Sequence, residues 1–249
     1  GPSNAARGIP DNTDVPHIDT AGGIWQKVCS QGIGGMDITS DGSTLYLVNV
    51  KDNTLHKLNL STYNTSNNIA DISATGTYTI PSMGCIGGEQ KSFACKSYKG
   101  KIYVGSICNG NTSNKSNLQG SVFEFDPVTS TFTQVLNFPL SYSKGPSSAN
   151  ELDNTLEFTT GWDIWHNDYS AIWGFVEPVF MDIEFDIDGS LVLGFGDRKS
   201  LQMGYNNYDP NGYFGGVNAG GDILRATRTA SGSFMLENNG SVPGATGYG

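Results

Sequence analysis

The stretch that decides the fold is residues 179–198, VFMDIEFDIDGSLVLGFGDR. In its first half apolar and acidic residues alternate, which is typical of a strand with one buried face. Asp188-Gly189 then supplies a tight turn, because glycine takes a positive φ without a Cβ clash. The apolar run LVLGF at 191–195 follows, as expected for a strand covered on both faces. This stretch therefore predicts a β-hairpin.

The chain writes the same unit three times, with turns at Gly42, Gly100 and Gly189. The first strands are predicted to begin near Met36, Phe93 and Met181. A third strand is predicted at 54–58, 121–125 and 222–226, and a fourth at 76–80, 132–136 and 233–237. Four antiparallel strands per repeat are the pattern of a propeller blade. The predicted fold class is therefore all-β, a β-propeller with at least three four-stranded antiparallel blades.

Three blades do not close a ring, since propellers typically contain about four to eight. We therefore expect an incomplete fragment of a larger ring, whose remaining blades belong to the same polypeptide. Residues 1–8 are interpreted as an expression remnant and a disordered tail, and 9–249 as a single propeller-like domain. Insertions at 139–178 and 202–221 interrupt the repeats, and 24–28 is predicted to be a strand that ends at Cys29.

The charge balance limits the classes of partner. The chain has 14 Lys+Arg against 24 Asp+Glu, a formal net charge of −10. This disfavours nucleic acid or an anionic membrane as a partner, because phosphate binding requires clustered cations. No run of about 20 apolar residues occurs in the sequence, so no membrane span is predicted. The low charged fraction of 15% suits a secreted or cell-surface β protein.

The four cysteines, Cys29, Cys85, Cys95 and Cys108, allow three pairings. The paired C-x-x-C spacings of zinc sites are missing, so two disulfides are expected. Within the second repeat the hairpin does not oppose Cys95 and Cys108, whereas residues 85–90 lead into the strand end that Cys108 leaves. We therefore predict a Cys85–Cys108 disulfide, with Cys29–Cys95 as the remaining pair.

The residues FMDIEFDIDGS at 180–190, followed by GFGDR at 194–198, resemble a propeller-like region of large bacterial secreted and surface proteins. In those proteins the region often precedes modules of the serine-aspartate-repeat B type. The resemblance extends over 85–108, 120–140 and 220–226. It implies a bacterial source and a secreted or cell-surface location, and it offers no catalytic activity that can be carried over to this chain.

Acidic residues suggest a possible site in the central channel. Asp182 and Glu184 lie on the first strand of the third repeat, and Asp37 stands at a matching place in the first. First strands line the channel of a propeller, and oxygen-rich clusters suit Ca²⁺, so these acids are candidate ligands for calcium. The alternative is that they bond backbone amides or Arg198. Asp182, Glu184, Asp197 and Arg198 are also candidate catalytic groups of a propeller hydrolase, with Glu184 and either Asp182 or Asp197 as an acid/base pair.

The insertions are rich in aromatic residues, and long aromatic loops in a compact domain are usually functional. Flat rings suit the recognition of a sugar or a protein, although buried rings would instead form the core of the insertion. The candidate ligand-binding residues are Trp162, Trp165, His166, Trp173, Tyr205 and Tyr208.

These patterns support two hypotheses about function. The first is a non-catalytic adhesion module that recognises a glycan or protein through aromatic loops at the rim. The second is a metal-dependent propeller hydrolase, similar to a lactonase or a glycosidase, that uses the acids facing the channel. The nucleophile elbow G-x-S-x-G does not occur in the sequence, so catalysis by a serine nucleophile has no support. The first hypothesis is favoured because the chain is acidic and disulfide-compatible, has aromatic rim loops and shows no catalytic signature.

Overall fold

The computed structural model describes residues 24–61, 74–144, 161–167, 176–204, 207–208, 214–215 and 220–238. It contains three four-stranded antiparallel sheets in which consecutive strands pair. The first sheet consists of β1 (Ile33–Ile38), β2 (Thr44–Asn49), β3 (Thr54–Asn59) and β4 (Ala74–Thr79). The second consists of β5 (Gln90–Tyr98), β6 (Lys101–Cys108), β7 (Gln119–Asp126) and β8 (Thr131–Pro139).

The third sheet has the same up-and-down order, with an excursion between its second and third strands. It consists of β9 (Pro178–Phe185), β10 (Leu191–Asp197), β13 (Asp222–Arg228) and β14 (Phe234–Leu236). The excursion carries a short helix, α2 (Arg198–Met203), and a two-stranded ribbon of β11 (Asn207–Tyr208) and β12 (Phe214–Gly215). No helix among the described residues is long and apolar enough to cross a membrane.

The sheets pack in succession through their first strands, since β1 contacts β5 and β5 contacts β9. One apolar cluster lies between the first and second sheets and includes Tyr46, Val104 and Phe125. A larger one lies between the second and third sheets and includes Phe180 and Leu193. Sheets that pack face to face around their first strands are propeller blades, so the predicted fold class is confirmed as a propeller-like all-β fold.

Each first strand begins three residues before the predicted start, because each contains a β-bulge. The pairing register shifts between Ile33 and Met36 in β1, at Phe93 in β5 and at Met181 in β9. An extra residue breaks the alternation of apolar and polar side chains. The sequence pattern therefore did not reveal the first three residues of each strand.

Glycine allows the blades to approach closely at the bulges. A Cβ on Gly105 of β6 would lie 2.9 Å from the ring of Phe180, and one on Gly35 of β1 would lie 2.7 Å from the backbone nitrogen of Cys95. Both separations are shorter than side-chain carbons tolerate, so these two positions require glycine.

The predicted strand at 24–28 is wrong, because these residues begin with a short helix, α1 (Ile24–Lys27). Arg198 explains the difference, since its side chain donates to the backbone carbonyls of Gln26 at 3.2 Å and Val28 at 2.9 Å. These carbonyls are therefore bonded to a side chain from the third blade rather than to a neighbouring strand.

One predicted disulfide is present and the other is not. Cys85 and Cys108 are joined, with their Cα atoms 5.4 Å apart, whereas Cys29 and Cys95 are free thiols. The Cys29–Cys95 prediction is therefore wrong. Cys95 is buried between the first two blades, where its Sγ lies 3.9 Å from the carbonyl oxygen of Tyr46. Cys29 instead lies near Arg198, and burial raises the pKa of its thiol to about 11.

Replacement of both Cys85 and Cys108 with serine is expected to lower the free energy of unfolding by about 3 kcal/mol, because the closed loop spans 23 residues. Urea unfolding of the oxidised wild type and the variant measures this difference. Non-reducing peptide mapping provides the control and should find only Cys29 and Cys95 open to alkylation. A variant as stable as the wild type would contradict the prediction.

The outer face of the first blade is apolar and exposed. Ile33, Met36 and Ile38 on β1 have exposed fractions of 60%, 54% and 45%. By contrast, Cys95 and Ile183, which stand at the place of Met36 in the next two blades, are buried against the preceding blade. The exposed face of the first blade thus has the composition of a blade-to-blade interface.

Candidate functional site

The candidate site lies at the end of the sheets where β1, β5 and β9 begin and β2, β6 and β10 end; we call this end the rim. Antiparallel pairing brings these strand ends together, because Gln90 pairs with Cys108 and Pro178 pairs with Asp197. Helix α2 and the segment 161–167 are attached to the same end. Side chains from distant parts of the chain therefore meet at the rim.

A buried charge cluster lies beneath the rim of the third blade. The side chains of Glu177, Arg198 and Lys199 are all fully buried. Arg198 donates to Glu177 Oε2 at 2.8 Å, and Lys199 Nζ lies 3.2 Å from Glu177 Oε1. Burial alone would raise the pKa of Glu177, but the hydrogen bond from His166 and the two cations outweigh it and lower the pKa. Glu177 is therefore a buried carboxylate with a full set of partners.

Arg198 organises the surrounding backbone. Besides Gln26 and Val28, its guanidinium donates to the carbonyl of His166 at 3.2 Å. The guanidinium carbon also lies 4.6 Å from the centre of the Trp165 ring, a cation–π contact. One buried side chain thus connects α1, the segment 161–167 and the third blade.

Asp197 caps helix α2. Its Oδ1 accepts hydrogen bonds from the backbone nitrogens of Glu177 and Lys199, both at 3.0 Å. Its other oxygen is buried without a hydrogen bond in the described part of the chain. Burial raises the pKa of Asp197 from 3.8 to about 6. The carboxyl group is therefore held where ionisation is unfavourable.

Asp197→Asn is expected to change how stability depends on pH. Because the pKa of Asp197 is raised in the folded chain, its contribution to stability falls as the pH rises from about 4 to about 6. Asparagine retains the helix cap without this fall, which is about 3 kcal/mol for a shift of about two pH units. Urea unfolding at pH 4 and pH 7 measures the difference, with the exposed Asp186→Asn as control. An unchanged pH profile in Asp197→Asn would refute the expectation.

An open polar cleft of about 260 Å³ lies on the rim between the first two blades and the segment 161–167. We call it the rim cleft. Its charged lining residues come from separate parts of the chain and are Lys27, Lys51, Lys91 and Glu89. Its uncharged lining residues are Gln26, Ser30, Gln31, Asn109, Trp165 and Asn167.

Asn109 forms the base of the rim cleft and is only 2% exposed. Its backbone and side-chain oxygens accept hydrogen bonds from the nitrogens of Trp165 at 3.0 Å and Glu89 at 2.8 Å. Its side-chain nitrogen makes no hydrogen bond to any described residue. The base of the cleft is therefore fixed by hydrogen bonds, and among the described residues its amide nitrogen has no acceptor.

The predicted aromatic site is corrected for the two tryptophans that the structure describes. Trp162 and Trp165 are only 2% and 1% exposed, so neither presents a flat face to a ligand. The Trp162 ring nitrogen donates to Tyr142 at 3.0 Å, and that of Trp165 donates to the carbonyl of Pro178 at 2.8 Å. They are the core of the insertion, the alternative that the sequence left open.

The other predicted ligand-binding residues have varied outcomes. His166 is half-buried, and its backbone nitrogen donates to Glu177 Oε1 at 2.8 Å, so it supports the charge cluster. Trp173 and Tyr205 lie outside the described residues, and for Tyr208 only the strand β11 is described. The predictions for these three side chains remain predictions.

The acids predicted to face the channel are close to a lysine. Lys96 Nζ lies 2.6 Å from Glu184 Oε1 and 3.7 Å from Asp37 Oδ2. Asp182 accepts a hydrogen bond from the backbone nitrogen of Ile183. Within the described ranges, no group of three or more His, Cys, Asp or Glu side chains is arranged to hold a metal ion. The predicted calcium ligands are thus partnered by protein groups.

Asp197 and Arg198 do not share a site with Glu184, whereas Asp182, two residues away on β9, stays a predicted partner of Glu184. Glu184 lies opposite Val192, and Asp197 is five residues further along β10, roughly 16 Å away at about 3.3 Å per residue. Paired carboxyl groups of glycosidases lie about 5–9.5 Å apart. The pairing of Glu184 with Asp197 is therefore wrong. Arg198 is fully buried, so it cannot contact a substrate.

The sequence analysis missed Glu177, Asn109 and the three lysines of the rim cleft. Glu177 lies at the end of the predicted insertion, four residues before the predicted strand start at Met181, and the nearest charged residue in the sequence is Asp182. The lysines are separated by tens of residues, so no local pattern relates them. Two adjacent cations, Arg198 and Lys199, follow an apolar strand in the sequence. This pair is the local signal that could have pointed to the buried charge cluster.

A comparison with protein-family profiles found no match. Among curated proteins, the chain is similar to colossins of Dictyostelium discoideum: 31% identical to colossin-A over 177 residues, and 25% identical to colossin-C over 239 residues. These matches cover 70% and 95% of this chain but only 1% and 21% of the two colossins. The chain thus spans a small part of the relatives it matches, and these relatives do not support the bacterial source that the resemblance implied.

Solved structures with similar folds match only loosely. A protein from Lactobacillus plantarum has a TM-score of 0.41 at 12% identity, covering 84% of this chain and 41% of that one. The periplasmic gluconolactonase of Pseudomonas aeruginosa has a TM-score of 0.32 at 14% identity, covering 78% and 43%. Scores at this level support no statement about function.

The disulfide indicates where the chain folds. Disulfides form and persist in oxidising environments and are rare in the cytosol. Cys85–Cys108 therefore favours an extracellular chain.

Proposed function

We propose that this chain is a non-catalytic binding module of a larger secreted or cell-surface protein. We further propose that its ligand, a glycan or a protein, binds at the rim cleft. The observation that carries the proposal is the contrast between the buried charge cluster and the rim cleft. The Glu177–Arg198 pair is sealed from solvent, whereas the rim cleft is open and lined by side chains that can donate hydrogen bonds.

The cleft suits recognition because its shape does not depend on a ligand. Arg198 holds one wall through Gln26 and Val28, and Asn109 holds the base through Glu89 and Trp165. Binding to a preformed site costs little ordering of the protein, which favours affinity. Polar groups fixed in this way are typical of a specific binding pocket.

The hydrolase alternative has less support. The candidate carboxyl groups Glu184 and Asp197 are roughly 16 Å apart along β10, and Lys96 already neutralises Glu184. A catalytic acid must reach the substrate, whereas Glu177 and Arg198 are fully buried. No observation specifically favours catalysis over binding.

We also propose that further blades of the same polypeptide cover the exposed face of the first blade. Beside Met36, this face forms an apolar groove of about 440 Å³ lined in part by Ile33, Leu47 and Leu58. The equivalent positions of the next two blades are buried by a neighbouring blade, and the matched colossins are far longer than this chain. A longer segment of the natural protein should protect Met36 from oxidation, and equal oxidation in both proteins would contradict this.

A glycan array tests the binding function. We expect labelled protein to bind a subset of glycans, and the double variant Lys27→Met/Lys51→Met to lose that binding. Lys99→Met is the matched control, because Lys99 lies in the β5–β6 turn at the opposite end of the second blade. Turnover of a lactone or a glycoside by the wild type would overturn the non-catalytic assignment. Array binding that survives in the double variant would remove the rim cleft as the site.

A further inference from the structure

We infer that the rim cleft takes an anionic saccharide unit, a sugar that carries a carboxylate, sulfate or phosphate group. The inference rests on the proposed function and specifies the ligand of that site. It starts from charge. The chain has a formal net charge of −10, yet three lysines and a single acid line this one cleft. A local excess of cations on an acidic protein attracts an anion.

Two of the three lysines of the rim cleft are available for a ligand. Lys91 pairs with Glu89 at 2.8 Å, and its side chain is only 11% exposed. Lys27 and Lys51 form no ion pair with any described residue. Both are exposed lining residues of the cleft, Lys27 at the end of α1 and Lys51 two residues after β2. Among the described residues, these two ammonium groups thus have no ion-pair partner.

The uncharged lining suits the hydroxyl groups of a sugar. The free side-chain nitrogen of Asn109 can donate from the base of the cleft. Gln31 and Asn167 add exposed amides that both donate and accept hydrogen bonds. Amide groups fix orientation, and ammonium groups supply charge-assisted hydrogen bonds to an anionic substituent.

The size of the cleft limits what enters it. Its volume of about 260 Å³ is below the roughly 300–1,000 Å³ of pockets for drug-sized ligands. A short anionic sugar unit at the end or in a branch of a glycan is therefore favoured over a longer segment buried along its length. The lysines do not distinguish carboxylate from sulfate or phosphate. Each lysine presents a compact ammonium charge, unlike the planar guanidinium of arginine, which binds two oxygens at once.

The test is a calorimetric titration of the intact chain with four probes that share the galactose ring. These are a galacturonate disaccharide, a sulfated and a phosphorylated galactose disaccharide, and the neutral galactose disaccharide. We expect at least one anionic probe to bind at least tenfold more tightly than the neutral probe, because hydrogen bonds to charged groups contribute about this much. Raising the salt concentration from 50 to 300 mM should weaken that binding.

Variants locate the binding. Lys27→Met/Lys51→Met should weaken binding of the anionic probe at least tenfold, while Lys99→Met should leave the affinity for this probe unchanged. The unfolding midpoint of the double variant should match that of the wild type, because its two lysines form no ion pair within the described residues. The anionic probe that binds most tightly identifies the charged group.

Each other outcome overturns the inference in a distinguishable way. Equal binding of neutral and anionic probes, lost in the double variant, would refute the anionic ligand and leave the binding function at the rim cleft intact. Anionic binding that the double variant retains would place the site elsewhere. Failure of all four probes would refute the inference, and a glycan array without any binding would then also remove the glycan form of the proposed function.

Discussion

Arg198→Met is expected to lower the free energy of unfolding by about 3–5 kcal/mol. The substitution leaves Glu177 as a buried carboxylate without its closest cation, and removal of one partner of a buried ion pair costs this much. It also removes the donors for the carbonyls of Gln26, Val28 and His166. Urea unfolding monitored by circular dichroism measures the loss.

The matched control for this variant is Arg225→Met. Arg225 pairs with Asp186 and Asp188 at 3.0 and 2.6 Å, but both carboxylates are substantially exposed. Exposed ion pairs contribute about 0–1 kcal/mol, so the control should lose at most about 1 kcal/mol. Equal losses in the two variants would show that burial of the Glu177 cluster is not what makes Arg198 important.

A triple variant separates the charge from the backbone contacts. Glu177→Gln and Lys199→Met in addition to Arg198→Met remove the buried carboxylate together with its second cation, so this variant should recover part of the stability that Arg198→Met loses. The remaining loss reflects the carbonyls that Arg198 bonded. Because two of these belong to α1 and the turn after it, Arg198→Met should also weaken ligand binding at the rim cleft.

Phe180→Ala is the second substitution with a large expected effect, a loss of about 3–5 kcal/mol. Phe180 is fully buried between the second and third blades, where it contacts Gly105 and stacks on Phe195 with ring centres 4.5 Å apart. Its removal leaves a cavity that the rigid strands on either side cannot fill. Thermal or urea unfolding measures the change.

The neighbouring residue provides the control. Met181 is the bulged residue of β9 and is 38% exposed, so Met181→Ala should cost less than about 1 kcal/mol. Without the bulge, Met181 would face the core and Phe180 would face solvent, and the sizes of the two losses would be reversed. A larger loss for Met181→Ala than for Phe180→Ala would therefore contradict the pairing of β9 with β10.

Most of the fold was predictable because it depends on local signals. The turns at Gly42, Gly100 and Gly189 and the alternation around them predicted three repeated hairpins, and the structure has them. Two errors arose where a distant residue decides local structure. Residues 24–27 form a helix beside Arg198, and Cys95 is buried between blades far from Cys29.

The candidate site was less predictable. Trp162 and Trp165 suggest a binding surface because the sequence places them in a long insertion, but packing against Lys144 and Arg198 buries them. A composition rich in aromatic residues describes a recognition loop and a small core equally well. Only the contacts of each ring distinguish the two.

By itself the sequence determined the strand order within three blades and the Cys85–Cys108 disulfide. Each follows from residues close together in the chain, where turn geometry and side-chain alternation act directly. The tertiary structure decided the partners of Glu177 and the lining of the rim cleft. Their residues lie tens to more than a hundred positions apart, and only the packing of successive blades brings such residues together. Around Glu177 the same packing also excludes the water that would otherwise solvate the charges.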